Sequence, residues 1–271
     1  MKKEKYDIVY YLSIIIIILM SAASLSGIFF TDIYQDNILV QSAWEGNDII
    51  TMVLAVPIFL NGLMLYKKKT VVGILVLFAM LFYSLYNYAF YLFSAAFNSL
   101  FLIYVTIFAL SIFAILLLIR KLDVEKAAEK FKPETPFKLI GWYMIIAGIL
   151  VGAFHIGLSF IYVISGNVPQ IITNVAHPTN VIAALNLSMV VPVALIAGIN
   201  ILKKRAWGFV LALVWNLKVF VYMTALSSAS IVTYINGAVQ DLYQLVFWGP
   251  IGIGCFVMTY ILFKNIRFHN K

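Results

Sequence analysis

The chain has 271 residues, is 63% hydrophobic with a mean hydropathy of +1.00, and carries only 11% Asp, Glu, Lys and Arg. A soluble domain is closer to half apolar and a quarter charged, so an ordinary soluble enzyme is excluded. One cysteine, Cys255, excludes an internal disulfide and a cysteine-based metal cluster.

Crossing about 30 Å of hydrocarbon takes roughly 20 apolar residues as helix. Eight stretches meet that requirement, near 8–30, 48–66, 70–93, 97–119, 139–164, 181–202, 206–229 and 243–263. The reading is therefore all-α, a polytopic membrane protein of eight transmembrane helices. Span 1 follows a basic start and contains the small residues Ser21 to Ser24, as a signal peptide would. Its apolar run continues to Phe30 and lacks an A-x-A site, so an uncleaved first span is expected.

The formal charge of +8 invites a nucleic-acid partner until the charges are placed. Lys2, Lys3 and Lys5 precede span 1, Lys67 to Lys69 follow span 2, and Arg120, Lys121, Lys126, Lys130, Lys132 and Lys138 separate spans 4 and 5. Lys203, Lys204 and Arg205 follow span 6, and Lys264, Arg267 and Lys271 close the chain. All fall on one side. The opposite loops carry Asp32, Asp36, Glu45, Asp48 and Asp241 and no base. Positive-inside puts both termini in the cytoplasm. The short basic clusters are orientation signals, so a lipid bilayer is the expected partner and nucleic acid is not.

Shifting the sequence by 135 residues places Val56-Pro57 on Val191-Pro192 and Gly73 on Gly208, and nearly superposes the basic clusters at 67–69 and 203–205. Loops 31–47 and 165–180 match as well. The expected organisation is a first four-helix half (1–119), a cytoplasmic linker (120–138) and a second half (139–271). Four spans return the chain to its starting side, so the repeats would be parallel. The prolines would kink spans 2 and 6 and free carbonyls near a shared cavity. In the linker, Leu122, Ala127, Ala128 and Phe131 give a modest apolar face, and a short surface helix over about 122–131 along anionic headgroups is expected.

Lys218 stands alone near the middle of span 7, roughly 18 Å of helix from the outer end. A charge at that depth is a functional-site candidate by default. Two readings stay open: an amine anchored to a carbonyl or Asn, or a ligand, ion or proton site with Tyr222 on the same helix face. A retinal Schiff base is disfavoured, because span 3 has no Asp or Glu to act as counter-ion. Glu45 and Asp48, three apart at the outer entrance of span 2, read either as helix-capping acids or as a cation-attracting mouth that Asp241 would join. His155, Ser159 and Tyr162 form a stripe on span 5, and span 6 contributes Asn186 and Ser188. Span 3 has Asn87 among Tyr83, Tyr86, Tyr88 and Tyr91, denser than an interfacial belt needs. Each residue alone reads as an interhelical hydrogen bond; with Lys218 they read as a polar, tyrosine-lined interior. Glu45, Asp48, Asp241 and His177 have no metal-ligand spacing, and no cofactor motif is present.

The segment W-x-G-x-D-x-x-T from Trp44 to Thr51, F-N-x-L-F-x-x-Y from Phe97 to Tyr104, and the span 7 lysine together resemble an uncharacterised family of bacterial eight-helix membrane proteins. The resemblance covers mainly the first half. It implies the eight-helix topology and a bacterial cytoplasmic membrane, directs attention to Asp48, Asn98 and Lys218, and brings no activity. A carrier for a small anionic or amphipathic solute is the leading expectation. The alternatives are a membrane-embedded lipid- or quinone-type binding protein or enzyme, and a sensor or assembly partner.

Overall fold

The computed structural model describes residues 7–177 and 179–267. Lys2, Lys3, Lys5 and Lys271, part of the orientation argument, lie outside the described residues. The protein is 81% helical, without strands among the described residues. Eight helices are long and apolar enough to cross a membrane: α1 Ile8–Phe29, α2 Ile38–Lys67, α3 Val71–Ser94, α4 Phe101–Lys121, α5 Phe137–Ser165, α6 Val181–Leu202, α7 Ala206–Ile235 and α8 Gln244–Lys264. Polar residues set several starts. Asn37, Thr70 and Asn180 accept backbone N–H bonds from Val40, Gly73 and Ala183 at 3.0 Å each.

Helices α3 and α7 are the most enclosed and pack against each other. α2 and α4 flank α3, and α6 and α8 flank α7. α2 also crosses to α7, where a Cβ on Gly46 would sit 2.5 Å from the Ala229 Cα. The first turn of α6 reaches α3.

Three boundaries differ from expectation. α2 begins ten residues before Asp48, so Asn37 and not Asp48 caps it. Segment 38–47 mixes Gln41, Ser42, Glu45 and Asn47 with apolar residues and reads as loop, yet Ser42 and Asn47 are buried in the bundle. α7 runs on to Ile235, placing Lys218 about 18 Å from its start and about 26 Å from its far end. The linker helix is Val124–Ala128, and Leu122, Ala127 and Phe131 are buried. That helix packs on α7, and Phe131 meets Phe209 with ring centroids 5.4 Å apart.

The two halves share backbone detail at a spacing of 135 residues. A π-helical turn occupies Thr51–Ala55 and another Asn186–Val190. In each, the residue before proline (Val56, Val191) donates five residues back, to the Thr51 and Asn186 carbonyls. Proline lacks an N–H and its ring crowds the carbonyl four residues earlier; a widened turn relieves both. Lys69 and Lys204, again 135 apart, adopt the left-handed conformation with φ of 58° and 53°. They close matching helix ends, with Thr70 N–H bonded to the Leu65 carbonyl at 3.2 Å and Arg205 N–H to that of Asn200 at 2.9 Å. A Cβ on Gly73 would land on the Leu65–Tyr66 peptide, and one on Gly208 on the Asn200–Ile201 peptide.

At the end of the bundle that carries the basic loops, Asp7 caps α1 and ties it to two neighbours. It accepts from Tyr66 Oη at 2.7 Å and Lys121 Nζ at 3.0 Å. Partial burial pushes the Asp7 carboxyl up, but the bonds from Tyr66 and Lys121 and the lysine charge outweigh it and hold the group below 3.8. With the folded value lowered, the stabilisation is present above the unfolded value and lost as pH falls through the folded one. The melting-temperature difference between wild type and Asp7→Asn should therefore shrink between pH 6 and pH 3. An unchanged difference contradicts the clamp.

Candidate functional site

Among the described residues, the buried side chains of formal charge are Asp48 and Lys218, 2% and 1% exposed. They make no ion pair with each other. The structure gives each its own aromatic surroundings.

Lys218 projects from α7 toward α3. Its Nζ lies 3.4 Å from the Tyr86 ring centroid, 4.7 Å from that of Tyr222 and 5.5 Å from that of Phe82. Ring faces carry negative quadrupole density, the one compensation an apolar interior offers an ammonium group. Cys255 of α8 is close enough to interact electrostatically. The expected carbonyl or Asn anchor for Lys218 is not observed among the described residues: the neighbouring Asn216 donates to its own helix, at the Ala212 carbonyl.

A hydrogen-bonded chain leads away from this lysine. Tyr86 Oη donates to Asn186 Oδ1 at 2.8 Å, and Asn186 Nδ2 meets His155 Nε2 at 2.9 Å. Because the tyrosine must donate to the amide oxygen, the amide nitrogen donates to the imidazole, which places the histidine proton on Nδ1. That atom is buried and has no partner, as is Tyr222 Oη. Asn186 opens the second π turn, whose widened backbone turns its side chain into the helix interface. Trp215 Nε1 takes up the Val190 carbonyl at the other end of that turn, at 3.0 Å.

A cavity of about 620 Å³ lies between the halves, toward the end of the bundle opposite the basic loops. Trp44, Phe90 and Trp248 supply aromatic wall. His155, Tyr222 and Asn47 also line it, and each is over nine-tenths buried with one unpaired polar atom. The volume lies in the range of small-molecule sites, and mostly apolar walls with a few polar groups are their usual make-up. Asp241 and His177 line the same cavity from the loops.

Asp48 faces away from α7, toward α1, α3 and α4. Tyr34 Oη donates to its Oδ2, and Tyr91 Oη donates to its Oδ1 at 2.9 Å. Tyr91 in turn accepts from Asn47 Nδ2 at 2.9 Å, which also donates to Asn87 Oδ1 at 3.0 Å. Tyr88 and Tyr104 pack on Tyr91 with centroids 5.6 and 5.1 Å away. Gly27 of α1 closes the cage, since any Cβ there would collide with Asp48 Oδ2.

The candidates thus divide. Lys218, Tyr222, Asn186 and His155 come together at one centre; Asp48 and Asn87 meet through Asn47 and Tyr91 at another. Glu45 does not join Asp48 in an open mouth. It takes a bond from Asn236 Nδ2 at 3.2 Å while Asp48 is sealed behind phenols. Asp241 accepts from the backbone N–H of Tyr243 at 3.2 Å. Asn98 folds its own loop, donating to the Ala96 carbonyl at 3.0 Å and accepting from Leu100 N–H at 2.9 Å, and touches the Asp48 cage only at its edge, beside Tyr104. Tyr34 escaped the sequence-derived candidates, whereas Tyr91 belongs to the tyrosine cluster of span 3. Tyr34 sits in a loop with no periodic signal; Asn47 adjoins Asp48 inside the W-x-G-x-D segment and was legible there.

No family model, curated protein or solved structure matches the chain. The chemistry must be read from the side chains. One centre offers a shielded amine beneath a cavity with hydrogen-bonding walls. The other offers a shielded carboxyl without a cation beside it.

Proposed function

We propose that this multi-pass membrane protein is a carrier for a small anionic or amphipathic solute, taken into the cavity above Lys218. The observation that carries this reading is the cavity itself, with Tyr222 both lining it and stacking on the buried ammonium group. A solute anion that displaces the Tyr222 ring gains a charge-assisted bond to Lys218, and His155 Nδ1–H supplies a second donor. Aromatic walls suit an amphipathic body. Positive-inside orients the basic loops to the cytoplasm, so the cavity is on the extracytoplasmic side. The matched π turns, left-handed lysines and close-packed glycines support a duplicated architecture in which two parallel halves enclose the site. A resident lipid- or quinone-type ligand is the second reading, favoured by Trp44, Phe90 and Trp248 in the wall.

The cavity is tested without knowing the solute. In a Cys255→Ser background, single cysteines at Ala225 and Ser230, which line it, should react with a membrane-impermeant thiol reagent added to intact cells. A cysteine at Ala79, buried in the core of α3, should not. Failure of both cavity positions to react from either side sinks the proposal.

A further inference from the structure

We infer that Asp48 is a proton-loading site, separate from Lys218 and coupled to the cavity through Tyr91 and Asn47. The inference deepens the carrier reading and rests on it for its role, since a coupled proton gives a carrier its driving force.

The groups around the carboxyl are defined from every side. Loop 30–37 brings Tyr34, α3 brings Tyr88 and Tyr91, α4 brings Tyr104, and α1 brings Ser24 and Gly27. On its own helix, Glu45 is a turn away and bonded to Asn236. α7 lies on another face of α2, packed through Gly46, and its Lys218 and Tyr222 bond nothing in the cage. No Lys, Arg or His among the described residues pairs with Asp48.

Two physical effects therefore oppose each other at one group. Two donated phenol hydrogen bonds favour the carboxylate, whereas burial without a counter-charge favours the neutral acid. A buried carboxyl subject to both effects is a candidate proton-binding group, as acids inside membrane-spanning segments commonly are. Ser24 Oγ and Tyr104 Oη lie buried at the cage and are hydroxyl oxygens able to accept an acid proton. On loading, a proton given up by water bonds to a carboxyl oxygen and Asp48 becomes neutral; on unloading, the carboxyl returns that proton to water and the charge returns.

The connection to the cavity is short. Asn47 lines the cavity, donates to Tyr91, and has an unpaired Oδ1. Tyr91 donates to Asp48. Trp44, which also lines the cavity, stacks on Tyr91 with centroids 4.4 Å apart. A solute donor that engages Asn47 shifts the Tyr91 bond and with it the proton balance at Asp48.

The test is infrared difference spectroscopy of the intact protein in lipid, titrated between pH 4 and pH 10 in potassium buffer. A protonated-carboxyl C=O band should grow as pH falls and be lost in Asp48→Asn. In Tyr34→Phe the band should remain and move to higher frequency, because one donated bond is gone; this variant serves if Asp48→Asn fails to fold. A titration that Asp48→Asn leaves intact overturns the inference, as does the absence of any titrating carboxyl band. Displacement of the band by sodium at constant pH also overturns it, in favour of a metal cation. The band needs no solute. Its absence in a protein that transports overturns this inference alone, and its presence in one that does not overturns the carrier reading alone.

Discussion

Replacing Gly73 or Gly208 with alanine is expected to destabilise the protein by about 3 kcal/mol, the upper part of the range for overpacking. Both glycines start a central helix, and in both the added methyl meets a peptide group of the preceding helix end rather than a flexible side chain. A peptide there cannot retreat. It belongs to the turn that Lys69 or Lys204 holds in the left-handed conformation, and that turn sets the hairpin joining α2 to α3 or α6 to α7. The two substitutions should cost similar amounts if the halves are structural copies. Gly157→Ala is the control. It lies within α5 with no atom within 4 Å of the added Cβ, so alanine should be neutral or stabilising by roughly 0.5–1 kcal/mol. Thermal unfolding in detergent reads all three, and equal melting temperatures contradict the packing argument.

Much of this fold is written in composition. Eight apolar runs make eight helices because each is long enough to span and carries few charges. The Val-Pro pairs pointed to matched distortions in spans 2 and 6, and the structure has a π turn before each. Segment 38–47 was not legible as helix, because Ser42 and Asn47 are buried against tertiary partners that no local pattern announces. Asp48 consequently read as a cap or an open mouth, whereas it lies a full ten residues into α2 behind tyrosines from three other segments. Lys218 was conspicuous for its depth alone. Its aromatic surroundings come from Phe82 and Tyr86 on one helix face four residues apart, so the tyrosine density of span 3 was a usable signal. The relay from Tyr86 to His155 joins residues 31 and 100 positions apart along the chain, beyond any motif.

Lys218→Met is the second substitution of large effect, and its signature is a separation of stability from function. Methionine fills nearly the same volume. The variant loses cation–π attraction worth about 0.5–2 kcal/mol. It also removes a buried amine that has no counter-charge, a trade that often comes out neutral or stabilising. The expected melting temperature is therefore equal to or above that of wild type. On the proposed carrier reading, the lysine serves an anion that arrives and leaves, and that service is lost with the amine. Tyr222→Phe, which keeps the ring on Lys218 and deletes an unpaired hydroxyl in the cavity wall, should fold normally and weaken solute retention less.

Untargeted uptake joins these points in one measurement. Proteoliposomes with wild type, Lys218→Met or no protein are exposed to a metabolite extract, washed, and their contents identified by mass spectrometry. At least one anionic or amphipathic solute should accumulate with wild type above the protein-free level, and fall at least tenfold with Lys218→Met despite its intact fold. Identical contents with and without wild-type protein, or accumulation that Lys218→Met leaves unchanged, would contradict a solute site built on this lysine.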